Sequence, residues 1–352
     1  MITPIQSTNY QSYSKNNNPK FRGRFLGSIE KSSRNVEFIG RKLINLSSDV
    51  FESSTEKLIK ERVNSADIKS PDYIREIVNV GKFFSPKNEI EINIHDERIK
   101  KIAQSGKPHI FIMNHDSQNK DPEMLGVFNT ILYSEYLKTG QASTCPRPKI
   151  ILNEDILLAM NTEKRNVFLK IGAVPIDASL TNPDTKSNAK QFIPLMRSFI
   201  NGEANIFIFP EGKNAGTRGN LENRFQLGTA EIVTKLADKV SEVNVTPIGF
   251  AYNKWFQKKA SSMYIGKTVT FKKEGDYISA GIGNITSEFA DEGYKNFFNG
   301  RNSAILTDKG IPLPQKECPE FVGGVLCENL KICTQEAKNR LKHPIDNDFF
   351  EF

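Results

Sequence analysis

The sequence predicts an α/β protein, a largely parallel or mixed sheet flanked by helices, with an N-terminal helical region ahead of it. Two observations carry that expectation. From about Lys87 to Lys272, short β-rich apolar runs alternate with longer stretches of helical period, the pattern of strands joined by crossover helices. The chain also has 352 residues, enough for one large domain with appendages or two of ordinary size, and either would bury a sizeable core.

The elements follow in order. Residues 1–24 are rich in Asn, Ser and basic side chains and contain no apolar h-region, so they read as a disordered tail and not as a secretory signal. Residues 25–85 form the N-terminal helical region. Val36, Phe38, Ile39, Leu43, Ile44 and Leu46 recur near helical spacing around Arg41 and Lys42, and a second helical stretch runs from Lys57 to Val63. Such an apolar stripe packs on its own domain more often than on a bilayer.

Residues 86–275 make the main α/β domain. Strands are expected at Glu89–Ile94, His109–Met113, Lys149–Leu152, Ala173–Ile176, Ile206–Phe209 and Val243–Phe250, with Ile265–Lys272 as an edge strand. Helices are expected at Pro122–Leu137, Thr162–Ile171, Ser187–Asn201 and Leu227–Val240. Residues 276–352 form a C-terminal extension: Asp276–Glu317 is punctuated by Gly, Asn and Pro, and Val325, Leu326, Leu330, Ile332 and Ala337 predict a closing helix over Gly323–Leu341, packed on the preceding domain.

The net charge of +7 favours anionic partners: nucleic acid, an acidic membrane surface or a phosphorylated small molecule. Nucleic acid ranks last, because the charges are spread along the chain and Trp255 with scattered Tyr and Phe makes no stacking motif. Cys145, Cys318, Cys327 and Cys333 contain no C-x-x-C pair and the four histidines are scattered, so no metal site and no disulfide framework is expected, and reduced thiols point to a cytoplasmic protein. No run approaches the roughly 18 apolar residues of a spanning helix, so membrane contact would be peripheral. Trp255-Phe256, flanked by Lys254, Lys258 and Lys259, and the N-terminal helical region are the two candidates for it.

In open α/β sheets ligands bind beyond the carboxyl ends of strands. Two such ends stand out here. The run Ile110–Met113 delivers Asn114-His115-Asp116-Ser117 and then Asp121-Pro122, and the run Asn205–Phe209 delivers Pro210-Glu211-Gly212 into a basic, glycine-rich loop. A neutral histidine titrates near working pH and suits proton transfer. Lys213, Arg218 and Arg224 offer donors to phosphate oxygens, although any one of them reads equally well as a solvated loop charge.

The blocks continue with Gly172-Ala-Val-Pro-Ile-Asp177, Arg224-Phe-Gln-Leu-Gly-Thr-Ala230 and Val245-Thr-Pro-Ile248. In this order they resemble the glycerophospholipid acyltransferase family, typified by 1-acylglycerol-3-phosphate acyltransferase, over about half the chain. The resemblance implies transfer of a fatty acyl group from acyl-CoA or acyl carrier protein to a hydroxyl of a (lyso)glycerolipid or glycerol phosphate, at a peripheral membrane surface. It needs no cofactor beyond the thioester co-substrate. It assigns His115 as general base and Asp121 as the group orienting its imidazole. Glu211 becomes a second essential acid, with Gly212, Lys213, Arg218 and Arg224 in a substrate-binding loop. The absence of a G-x-S-x-G elbow agrees with direct transfer.

The sequence departs from the family pattern in three places. Five residues separate His115 from Asp121 where the family has four, leaving Asp121, Asp116 or no carboxylate to orient the ring. The family's Phe-Pro-Glu-Gly-Thr-Arg-Ser becomes Phe209-Pro-Glu-Gly-Lys-Asn-Ala215, with Gly216-Thr217-Arg218 downstream. Ala178 stands where family members usually carry an arginine. These departures motivate a second reading, a catalytically degenerate member that binds lipid or acyl thioester without turnover.

Overall fold

The computed structural model describes residues 61–84, 90–94, 97–115, 120–159, 162–177, 185–211, 227–252, 261–275, 277–282, 318–343 and 349–350. The expected tail and the Val36–Leu46 stripe, Asp116, Ala178, the loop residues Gly212, Lys213, Arg218 and Arg224, and the Trp255-Phe256 segment lie outside them.

The described residues fold as a mixed ten-stranded sheet with helices on both faces. In order, the elements are α1 (Pro71–Phe84), β1 (Ile90–Ile92), α2 (Arg98–Ser105), β2 (His109–Met113), α3 (Lys120–Lys138), β3 (Arg147–Asn153), α4 (Glu154–Ala159), α5 (Thr162–Lys170), β4 (Ala173–Ile176), α6 (Thr185–Ile200) and β5 (Ala204–Ile208). They continue with α7 (Leu227–Ala237), β6 (Val243–Tyr252), β7 (Ser261–Ile265), β8 (Val269–Glu274), β9 (Tyr277–Ile282), α8 (Cys318–Lys342) and β10 (Phe349–Phe350). The parallel core runs β6-β2-β5-β3-β4, and antiparallel pairings of β6 with β7 and of β6 with β8 extend it on the other side.

β2 and β5 are buried along their whole length, as expected of parallel strands covered on both faces, and their sequences His-Ile-Phe-Ile-Met and Ala-Asn-Ile-Phe-Ile are accordingly almost continuous apolar runs. Period-2 alternation divides the core. Ile110, Ile112, Ile206 and Ile208 meet α6, α7 and α8 on one face, whereas Phe111, Met113, Phe207 and Phe250 meet α1, α2 and α3 on the other.

α1 opens with Ser70 accepting from the Tyr73 amide and Pro71 in the first turn, a start signal that requires no free proline N–H. It lies so close to α3 that a Cβ on Gly81 would sit 2.1 Å from Thr130 Oγ1 and 2.6 Å from the Gly126 carbonyl. On the opposite face α8 approaches β6 as closely: a Cβ on Gly249 would stand 2.0 Å from the Cys333 carbonyl oxygen. The C-terminal helix is therefore part of the core that covers the sheet.

Three sequence expectations change in detail. The edge strand expected over Ile265–Lys272 is two strands, β7 and β8, broken at Gly266–Thr268, because they pair with opposite halves of β6. β6 continues two residues beyond Phe250, to Tyr252. β9, which pairs with β8 from Tyr277 onward, occupies part of the segment that sequence left unassigned.

Candidate active site

The sheet register alone brings His115 and Glu211 together. Ile112 pairs with Ile208 across β2 and β5, and His115 and Glu211 each lie three residues further along their strands. The His115 backbone N–H donates to Glu211 Oε1 at 2.7 Å, and Glu211 is only 3% exposed. Glu211 thus ties the chain leaving β2 to the chain leaving β5.

Asn114 performs the matching task towards β6. Its Oδ1 accepts from the Phe250 amide at 2.6 Å and its Nδ2 donates to the Phe250 carbonyl at 3.1 Å, so one buried side chain replaces both hydrogen bonds of a ladder rung. The backbone of His115 is therefore held from both neighbouring strands.

Alternation along β2 turns His115 to the same face as Phe111 and Met113, towards the start of α3. There Asp121 is the second residue of the helix, a position that favours a carboxylate near the positive end of the helix dipole, and Pro122 is tolerated in the first turn. Asp121 Oδ2 accepts from His115 Nδ1, so the five-residue spacing still brings the carboxylate onto the ring. A carboxylate that accepts here makes Nδ1 the donor of this contact, and Nε2 is the ring nitrogen turned away from Asp121. The His115 side chain is 19% exposed while that of Asp121 is 1% exposed, which opens the imidazole, and not its partner, to a substrate.

Four further groups stand around the pair. The Phe209 ring lies tilted at 5.2 Å from the imidazole centroid and forms an apolar wall. Tyr252, the last residue of β6, donates its hydroxyl to Asp121 Oδ1. Lys120 Nζ sits 5.4 Å from the centroid of the Tyr252 ring, and burial raises the Glu123 carboxyl above its ordinary range against the opposing pull of Lys120.

The structure thus gathers His115, Asp121 and Glu211 in one place. Sequence reading places Asn114 within the block at the end of β2 but assigns it no role, and it does not single out Tyr252. A usable signal existed for Tyr252: it keeps the parity of Ile248 and Phe250, so extending β6 by two residues would have placed it on the face of His115.

A family model described as Acyltransferase matches residues 91–251. That segment is similar to the acyltransferase family. Its span runs from β1 through β6 and contains both strand ends that carry the site. No curated protein matches the chain. α1 precedes the matched segment, and β7 to β10 and α8 follow it. Among the described residues, no helix is long and apolar enough to cross a membrane.

Proposed function

We propose that the protein transfers a fatty acyl group from the thioester of acyl-CoA or acyl carrier protein to a hydroxyl of a (lyso)glycerolipid or glycerol phosphate, in the manner of a 1-acylglycerol-3-phosphate acyltransferase. The observation that carries this reading is the imidazole of His115, held at Nδ1 by a buried carboxylate and partly exposed at the carboxyl ends of β2 and β5.

The chemistry follows from that geometry. A thioester is already activated, so no nucleophile of the protein is required; the acceptor alcohol must lose its proton as it attacks. His115 Nε2 takes that proton while the alcohol oxygen bonds to the thioester carbon. The imidazolium is stabilised by Asp121, which keeps the ring in the productive tautomer. Collapse of the tetrahedral adduct breaks the carbon–sulfur bond, and the imidazolium returns its proton to the departing thiolate. Glu211 sets the backbone from which His115 projects, and Gly212, Lys213, Arg218 and Arg224 follow it in sequence as candidates for the acceptor's phosphate.

The acceptor is amphiphilic, so a protein of this activity meets it at a membrane surface, approached peripherally with cationic residues towards anionic headgroups. The contact between Asp121 and the imidazole supports turnover over a binding-only role.

The test is to offer the purified protein acyl-CoA and acyl carrier protein thioesters against glycerol 3-phosphate, lysophospholipids and non-phosphorylated alcohols. Thiol release that depends on an acceptor, with ester product formed in equal amount, is expected for at least one pair. Saturable thioester binding without acceptor-dependent release from any pair would overturn the reading in favour of a binding protein.

A further inference from the structure

Asp121 must present one oxygen to Nδ1 of His115 throughout a catalytic cycle, and its own side chain does not ensure this. Rotation about a carboxylate's terminal bond is soft and roughly two-fold, so contacts to both oxygens fix the group better than a contact to one. The structure supplies a second contact from a different element. Asp121 Oδ2 accepts from the imidazole at the end of β2, while Oδ1 accepts from the hydroxyl of Tyr252 at the end of β6. Two strands separated by one ladder thereby grip the two oxygens of one carboxylate at the head of α3.

We propose that Tyr252 is a positioning residue of the active site, which acts through Asp121 to hold the imidazole of His115 in its productive orientation. The inference rests on His115 serving as the general base. Tyr252 lies one residue beyond the segment matched by the family model, so the match itself assigns it nothing. Its location is nevertheless determined by the sheet. β6 is pinned to β2 from Asn244 to Ile248 and again through Asn114 to Phe250, which brings residue 252 level with the start of α3. The aromatic stem is half-buried, and Lys120 over its ring, at 5.4 Å from the centroid, braces it from the helix that carries Asp121. A phenol also suits the position chemically. It donates a hydrogen bond to the carboxylate without adding a positive charge that would compete with the imidazolium for the same group.

The decisive variant is Tyr252→Phe, which keeps the ring and removes only the donor. Loss of a hydrogen bond to a charged group predicts that kcat for acyl transfer falls by roughly tenfold to a hundredfold, with KM for thioester and acceptor within about twofold of the parent. In the Asp121→Asn background the same change should cost almost nothing further, because the proposed effect of the hydroxyl on the imidazole runs through the carboxylate. A readout independent of turnover is the low-field proton resonance of His115 Nδ1–H, assigned by its disappearance in His115→Ala. It should be sharp in the parent protein and broadened or lost in Tyr252→Phe. A Tyr252→Phe protein with parental kcat and an unchanged low-field resonance overturns the assignment, as does an equal loss of kcat with and without the Asp121→Asn change. If the parent protein proves not to transfer acyl groups, the resonance still reports whether Tyr252 orders the Asp121–His115 pair, so failure of the two ideas can be told apart.

Discussion

His109 opens β2 and His115 follows two residues after the strand's end with the same parity, yet the fold gives them opposite surroundings. His109 opens the strand and is 4% exposed. Its backbone N–H is taken by Asn205 Oδ1 at 2.9 Å, its Nδ1 meets Thr246 Oγ1 at 3.3 Å, and its ring stacks on Phe111. Burial is the main cause that pushes its pKa down to about 4, helped by the Lys107 ammonium and opposed by Glu242. His109 is a neutral core residue. His115 leaves the strand beside a carboxylate and remains partly open to solvent. The residue type is the same in both; the partner and the exposure differ, and on the proposed mechanism they decide which one moves a proton.

The contrast is broken most severely by taking the carboxylate from His115. Asp121→Asn leaves an amide in the carboxylate's place, without the charge that stabilises the imidazolium and with an N–H₂ group that can force the wrong tautomer. A fall in acyl transfer of about a hundredfold to ten-thousandfold is expected, with the urea midpoint little changed. Loss of less than about tenfold would mean that Asp121 does not orient the ring.

The other end of the strand predicts a stability effect and no rate effect. His109 has its folded pKa lowered to about 4, against an ordinary value near 6.5. Above pH 6.5 neither folded nor unfolded chain protonates it. As pH falls from 6.5 to 4 the unfolded chain binds the proton and the folded one does not, so stability declines through that window and levels off below it. The full contribution is on the order of 3 kcal/mol. His109→Gln should remove this part of the acid destabilisation, seen as a smaller drop in urea midpoint between pH 7 and pH 4.5, and should leave acyl transfer near the parental rate. An unchanged pH dependence would show that His109 is not the buried neutral group described.

Much of this was legible in the sequence, for identifiable reasons. The buried parallel strands are continuous apolar runs, so His109–Met113 and Ala173–Ile176 are where the pattern puts them. His115 and Glu211 follow, because both sit just past such runs and the register needs only neighbouring strands. Short elements were not legible: α2 and α4 span eight and six residues, too few to display helical period clearly. Neither was the contact between Asp121 and His115, since whether five intervening residues reach or miss depends on how α3 is set against the sheet. α3 meets the sheet through contacts such as Phe128 against Phe111 and Phe207, side chains distant in sequence from one another. Tyr252 escaped notice for the same kind of reason, because its role depends on the exact end of β6.

The most direct test of the central claim is acceptor-dependent thiol release by His115→Ala, measured beside the parent protein with circular dichroism and urea midpoint confirming the fold. The account predicts that release falls by at least about a hundredfold while thioester binding persists. Near-parental turnover by the folded variant would contradict it.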